Sequence, residues 1–167
     1  MRAAPRASRI RLLVLDVDGV LTDGGLVYRA SGEETKRFHV HDGFALVAAL
    51  QAGLQIAVLS GRASAAVTRR LAELGVAEVH QGVTDKVAAL DSLRERLGLA
   101  AREVAVMGDD LPDLPAMARA GMALAPANAV REIKRIAHWI ARRRGGDGAV
   151  REAVEMLLKA RRSWPPR

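Results

Sequence analysis

Ile10-Arg11-Leu12-Leu13-Val14-Leu15-Asp16-Val17-Asp18-Gly19 is the stretch on which the fold turns. A short apolar run containing β-branched residues and ending abruptly in carboxylates reads as a buried strand that stops in a polar loop. The same grammar recurs downstream. Strands are expected at 55–59, 76–80, 104–107, 122–125 and 138–140, with helices at 42–52, 63–74, 85–97, 114–120, 129–136 and 149–160. Gly53, Gly75, Gly98 and Gly121 stand where helices must stop. Residues 26–29 and 34–38 read as the arms of a small hairpin, within 24–38, projecting from the body. Strands alternating with helices predict an α/β fold with a doubly wound, mostly parallel, Rossmann-like sheet and helices on both faces. The expected organisation is one domain over 9–162, including a Gly-rich segment and C-terminal helix at 143–162. Disordered tails are expected at 1–8 and 163–167.

The chain has 167 residues, half of them hydrophobic, enough for a full core. Its apolar runs, such as 12–15 and 121–126, fall far short of the roughly 20 residues of a membrane span, which excludes an integral membrane protein. The absence of cysteine excludes a disulfide scaffold, a thiolate zinc site and cysteine nucleophile chemistry. Arg2, Arg6 and Arg9 are not followed by an apolar stretch and cleavage site, so a cytoplasmic address is expected. The net charge of +7 resides at the ends: residues 1–11 carry +4 and 141–167 carry +5, leaving 12–140 at −2. A slightly acidic body with one Tyr, two Phe and two Trp offers few stacking platforms, so no nucleic-acid partner is expected.

In doubly wound sheets ligands bind beyond the carboxyl ends of the strands, so the residues following each strand hold the chemistry. Asp16 and Asp18 follow the first strand, and two carboxylates facing one space call for a positive partner. A divalent cation of the magnesium type suits an all-oxygen set. Ser60, Gly61 and Arg62 follow the second strand, where a hydroxyl and backbone N–H groups at a helix start bind an oxyanion; a plain helix cap is the alternative. Lys86 lies at the next helix start, either as a solvated side chain or as a point charge for phosphate. Gly108-Asp109-Asp110-Leu111-Pro112-Asp113 adds three more carboxylates beyond the strand at 104–107.

That order of Asp-x-Asp, Ser, Lys and Gly-Asp-Asp-x-x-Asp resembles the haloacid dehalogenase superfamily of phosphatases across 12–124. The resemblance implies Asp16 as the nucleophile that becomes an aspartyl phosphate and Asp18 as general acid and base. It implies Ser60, Gly61 and Lys86 as phosphate-binding residues and Mg2+ as the cofactor. Asp16, Asp109 and the backbone carbonyl of Asp18 would ligate the metal, with Asp110 and Asp113 around it. The 41 residues between Asp18 and Ser60 are used up by a hairpin, a helix and a strand, leaving no room for a cap.

Further motifs narrow the resemblance to the capless phosphatases of 3-deoxy-D-manno-octulosonate 8-phosphate. These are Lys36-x-Phe38, Asp42-Gly43, Ser60-Gly-Arg-x-Ser64, Gln81-Gly82 and Gly145-Gly-x-Gly148-Ala-Val-Arg-Glu152. That family implies a homotetramer joined through hairpins, with the Gly-rich C-terminal segment near a neighbouring site, and places the activity in lipopolysaccharide synthesis. Substrate contacts are then expected from Asp42, Gly43, Arg62, Arg70 and Arg151, the arginines as partners for a sugar-acid carboxylate; for Arg70 a solvated helix face is an equal reading. Relatives acting on nonulosonate 9-phosphates tend to be acidic where this chain has Arg62. A nonulosonate phosphatase and a noncatalytic phosphosugar-binding module remain the alternatives. His39 and His41 receive no role, and His80 and His138 read as structural.

Overall fold

The computed structural model describes residues 4–165. In chain order the elements are α1 (Ala4–Ala7), β1 (Leu12–Leu15), β2 (Val27–Tyr28), β3 (Glu34–Thr35), α2 (Val40–Gln51), β4 (Gln55–Leu59), α3 (Ala65–Glu73) and β5 (Glu78–His80). There follow α4 (Lys86–Arg96), β6 (Val104–Met107), α5 (Leu114–Arg119), β7 (Met122–Ala125), α6 (Arg131–Ile136), β8 (Trp139–Ile140) and α7 (Ala149–Ala160). Six strands form one sheet in the order β5-β4-β1-β6-β7-β8. Every pairing in it is parallel.

The alternation within β1 shows why the sheet is covered on both faces. Leu13 and Leu15 join a core with Ala7, Leu46, Leu71 and Leu157. Leu12 and Val14 point the other way, into a core with Leu90, Leu93, Met117 and Ile133. Successive strand residues face opposite sides, so a strand that is apolar throughout requires helices on both. Here α1, α2, α3 and α7 cover one side and α4, α5 and α6 the other.

The order of the strands positions the site. The chain builds outward from β1 through β4 to β5, then returns to the other side of β1 with β6. β1 is therefore the switch point, and the loops after β4, β1 and β6 leave the same edge side by side.

Several local expectations need correction. The helix expected from 63 begins at Ala65, because Ser60-Gly61-Arg62 forms a turn in which the Arg62 N–H donates to Ser60 Oγ at 3.3 Å. The Ser64 N–H is taken by Gln81 Oε1 at 2.8 Å. The hairpin pairs only two residues per arm, with Leu26, Val27 and Tyr28 exposed and no layer over them to reward longer pairing. Residues 4–7, expected in a disordered tail, form a helical turn: Ala7 is fully buried and the Arg6 guanidinium donates to the Gly121 carbonyl at 2.6 Å. At the other end Trp164 packs on the core. Residues 1–3 and 166–167 of those expected tails lie outside the described residues.

The Gly-rich segment folds back onto its own chain. Asn128 clamps it, donating from Nδ2 to the Gly19 carbonyl at 3.0 Å and accepting the Gly145 N–H on Oδ1 at 2.6 Å. A methyl group at Gly145 would stand 1.8 Å from the Gly19 carbonyl oxygen, so only glycine allows this approach. Gly145→Ala is accordingly expected to cost about 1–3 kcal/mol, the usual range for overpacking. Urea unfolding measures it, and an unchanged midpoint would contradict the close approach.

Candidate active site

Asp16 leaves the end of β1, Lys86 opens α4, and Asp113 closes the 3₁₀ turn Leu111–Asp113 that follows β6. The three meet. Lys86 Nζ donates to Asp16 Oδ1 at 2.7 Å and to Asp113 Oδ1 at 2.5 Å. Asp113 is buried and its second oxygen accepts the N–H groups of Asp109 at 3.0 Å and Asp110 at 3.4 Å. Its fold-back requires Gly108, where a Cβ would lie 2.3 Å from that of Asp113. Asp85 holds the start of α4 in place, accepting from the N–H groups of Val87 at 2.9 Å and Ala88 at 3.0 Å.

Charge is crowded here. Burial, reinforced by the neighbouring Asp113 charge, pushes Asp16 up to about 6, even though Lys86 opposes it. Burial and the charges of Asp16, Asp113 and Asp110 push Asp109 to about 7. Burial works against the Lys86 ammonium, yet Asp16 and Asp113 outweigh it and hold its pKa above the ordinary value. One ammonium is thus shared by a group of carboxylates that lacks positive charge.

A cation fits that deficit. Oxygens of Asp16, Asp109 and Asp113 lie within 4.8 Å of one another. Asp109 Oδ1 is buried without a hydrogen-bond partner, a state that costs about 1–3 kcal/mol if nothing satisfies it. A Cβ at Gly19, which has φ +95°, would come within 2.0 Å of Asp109 Oδ2, so glycine keeps the carboxylate's place clear. Carboxylate oxygens are the donors a hard divalent cation takes. Asp113, expected around the metal, brings an oxygen into this group of three, and the Asp18 carboxylate stands outside it.

Asp18 instead faces two cations. Lys36 Nζ lies 2.5 Å from its Oδ1, and Arg62 Nε 3.4 Å from its Oδ2. Arg62 is itself tied to the Glu34 carboxylate and, at 3.2 Å, to the Tyr28 hydroxyl, both on the hairpin. Asp16, Asp18, Ser60, Gly61, Arg62, Lys86, Asp109, Asp110 and Asp113 all line one cleft of about 470 Å³. The Ser60 hydroxyl is buried at its floor, while Asp110 caps the turn after β6 by accepting the Leu111 N–H at 2.8 Å.

Four residues expected at the substrate lie outside this chain's own cleft. Asp42 is buried between α2 and α7, where it accepts the N–H groups of Gly148 at 3.3 Å and Arg151 at 2.7 Å. It anchors the start of the last helix, whose four free N–H groups need such a partner. Gly43 makes room for Arg70, whose Nη2 would be 2.3 Å from a Cβ there. Arg70 turns along α3 towards Glu73 at 3.4 Å, away from the cleft. The Arg151 guanidinium lies 5.2 Å from the Phe44 ring centre and 4.7 Å from that of Trp164, with Glu155 at 2.5 Å. Stacking and an ion pair one helical turn on account for it without a ligand. Lys36 and Glu34, by contrast, were not expected at the site. Their spacing of two on an extended arm, which sends both side chains to one face, was the available signal.

A family profile described as haloacid dehalogenase-like hydrolase matches residues 73–152. The 3-deoxy-D-manno-octulosonate 8-phosphate phosphatase of Escherichia coli K12 is 42% identical over 155 residues, covering 93% of this chain and 82% of that protein. The chain belongs to the haloacid dehalogenase-like hydrolases. Among solved structures, the Moraxella catarrhalis 3-deoxy-D-manno-octulosonate 8-phosphate phosphatase, in complex with magnesium, phosphate and KDO, superposes with a TM-score of 0.94. It is 42% identical, covering 96% of this chain and 92% of that one. The cobalt-bound phosphatase of Haemophilus influenzae gives a TM-score of 0.91 at 40% identity, covering 95% and 92%. For this member of the hydrolase family, α/β architecture and the absence of a large cap agree with those relatives.

The raised carboxylates make the fold sensitive to pH in a stated direction. Asp109 stands near 7 in the folded chain against 3.8 as its ordinary value, so between those limits the folded state binds more protons than the unfolded one. Stability from this group is present at low pH and falls as pH rises through the window. With chelator present, Asp109→Asn should therefore gain in melting temperature relative to the wild type between pH 4.5 and pH 8. A difference that stays constant across this range would show that Asp109 is not strained.

Proposed function

We propose that this phosphatase hydrolyses 3-deoxy-D-manno-octulosonate 8-phosphate to the free sugar acid and phosphate, with magnesium and through an aspartyl phosphate. The observation that carries the reading is the Lys86 ammonium shared by Asp16 and Asp113 beside an unpartnered Asp109 oxygen, with Asp18 across the same cleft. Such an arrangement holds a dianionic ester against a carboxylate nucleophile and keeps a second carboxylate at the leaving group.

Asp16 attacks phosphorus as the ester oxygen departs, and Asp18 gives that oxygen its proton. Asp18 then takes a proton from water, which attacks phosphorus, releases phosphate and restores the Asp16 carboxylate. Ser60, Gly61 and Lys86 hold the phosphoryl oxygens throughout. Asp16, Asp109 and the backbone carbonyl of Asp18 would hold magnesium, which when bound supplies the positive charge that the carboxylates and the transferring group require. Asp113 orients Lys86, and Asp110 shapes the loop around Asp109.

Arg62 at the cleft mouth supports a sugar acid, because a guanidinium pairs with a carboxylate in two-point fashion. The relatives named above, one of which holds magnesium, phosphate and KDO, support the octulosonate over the nonulosonate. The exposed Leu26, Val27 and Tyr28 of the hairpin support association into a homotetramer.

The test is phosphate release with magnesium from the octulosonate 8-phosphate, nonulosonate 9-phosphates, hexose phosphates and a phosphorylated oligonucleotide, with Asp16→Asn as the blank. The octulosonate is expected to lead in kcat/KM by tenfold or more, about 1.4 kcal/mol of transition-state binding. A nonulosonate in front would transfer the assignment to that substrate, and release equal to the blank on every ester would leave a binding module.

A further inference from the structure

Lys36 is an enclosed cation beside the cleft, with its side chain 2% exposed. Its ammonium lies 2.5 Å from Asp18 Oδ1 and 2.9 Å from Glu34 Oε1. A buried ammonium is costly unless paired and hydrogen-bonded, and this one is hydrogen-bonded to Asp18 and ion-paired with Glu34, which holds the Asp18 carboxylate in return for its own desolvation. Lys36 is not among the residues that line the cleft, whereas Asp18 is. Arg62 approaches the other oxygen, Oδ2, at a looser 3.4 Å and is itself held by the hairpin. Asp18, which lines the cleft, therefore has one oxygen held closely by Lys36 and the other held only loosely, by Arg62.

Resting on the phosphatase reading, we propose that Lys36 is a positioning residue: delivered by the return arm of the hairpin, it aims Asp18 Oδ2 at the ester oxygen for proton donation. The hairpin thereby has a task inside its own subunit, since it brings in Lys36, its counter-ion Glu34 and the Tyr28 hydroxyl that steadies Arg62. Orientation of this kind matters to a proton transfer far more than to phosphorus attack, because the acid must lie within hydrogen-bond reach of the departing oxygen.

Two esters separate these effects. A sugar phosphate leaves as an alkoxide and needs the proton, whereas 4-nitrophenyl phosphate leaves as a stable anion and does not. On kcat/KM, which covers only transfer to Asp16 and departure of the leaving group, Lys36→Met should lose about 10²-fold on the octulosonate 8-phosphate and little on 4-nitrophenyl phosphate. KM for the sugar ester should stay nearly unchanged. Equal losses on both esters, or none on either, overturn the proposal. If Lys36→Met does not fold, Lys36→Arg serves, because a planar guanidinium keeps the charge but cannot take the ammonium's place without turning Asp18; a ratio between the two esters equal to the wild type's then overturns it. A wild type inert towards both esters marks failure of the phosphatase reading itself, and the proposal falls with it.

Discussion

Too many carboxylates share too little positive charge at the carboxyl end of this sheet, and the Lys86 ammonium is what makes their meeting tolerable. It reaches Asp16 from the β1 loop and Asp113 from the β6 loop, so a single side chain on α4 ties three segments distant in sequence. The surrounding backbone is shaped to the same end. Gly108 lets Asp113 fold back, Gly19 clears the place of Asp109, and Asp85 caps the helix that carries Lys86. Even so, Asp16 and Asp109 remain pushed up to about 6 and about 7 by burial and mutual repulsion. That residual strain is the physical content of a site built for a cation and a phosphoryl group, which supply what one ammonium cannot.

A second, smaller charge group stands across the cleft and solves a different problem. Lys36 and Arg62 flank Asp18 while Glu34 balances both cations. The two carboxylates of the Asp-x-Asp motif are two residues apart in sequence, yet one is coupled to the carboxylate group and Lys86, the other to the hairpin. Separate surroundings suit the separate roles proposed for them, a nucleophile on one side and a proton carrier on the other.

The last third of the chain acts as a brace. Asn128 and Gly145 press on the Gly19 turn, and Asp42 holds the start of α7 against α2. The loop that carries Asp16 and Asp18 is thus supported from behind by segments of its own chain. Of the motif residues outside this chain's own cleft, Asp42 and Arg151 take part in this support.

The parallel sheet, its helices and the carboxylates at its edge were legible in the order of residues, because apolar runs ending in Asp, Ser or Gly-Asp report strand ends directly, and a doubly wound sheet brings strand ends together. The hairpin was legible as well, and Lys86 could be placed at a helix start. Side-chain partners were not. Whether Arg70 or Arg151 faces the cleft depends on the rotation of α3 and α7 about their axes and on which neighbour offers space, as Gly43 does for Arg70. Lys36 could be matched to a motif but not to Asp18, since that contact needs the hairpin's angle to the sheet. Periodicity records which faces are apolar and where chains turn; the pairing of buried charges is decided by packing across those faces, where one rotamer brings an ammonium to a carboxylate and another leaves it in water.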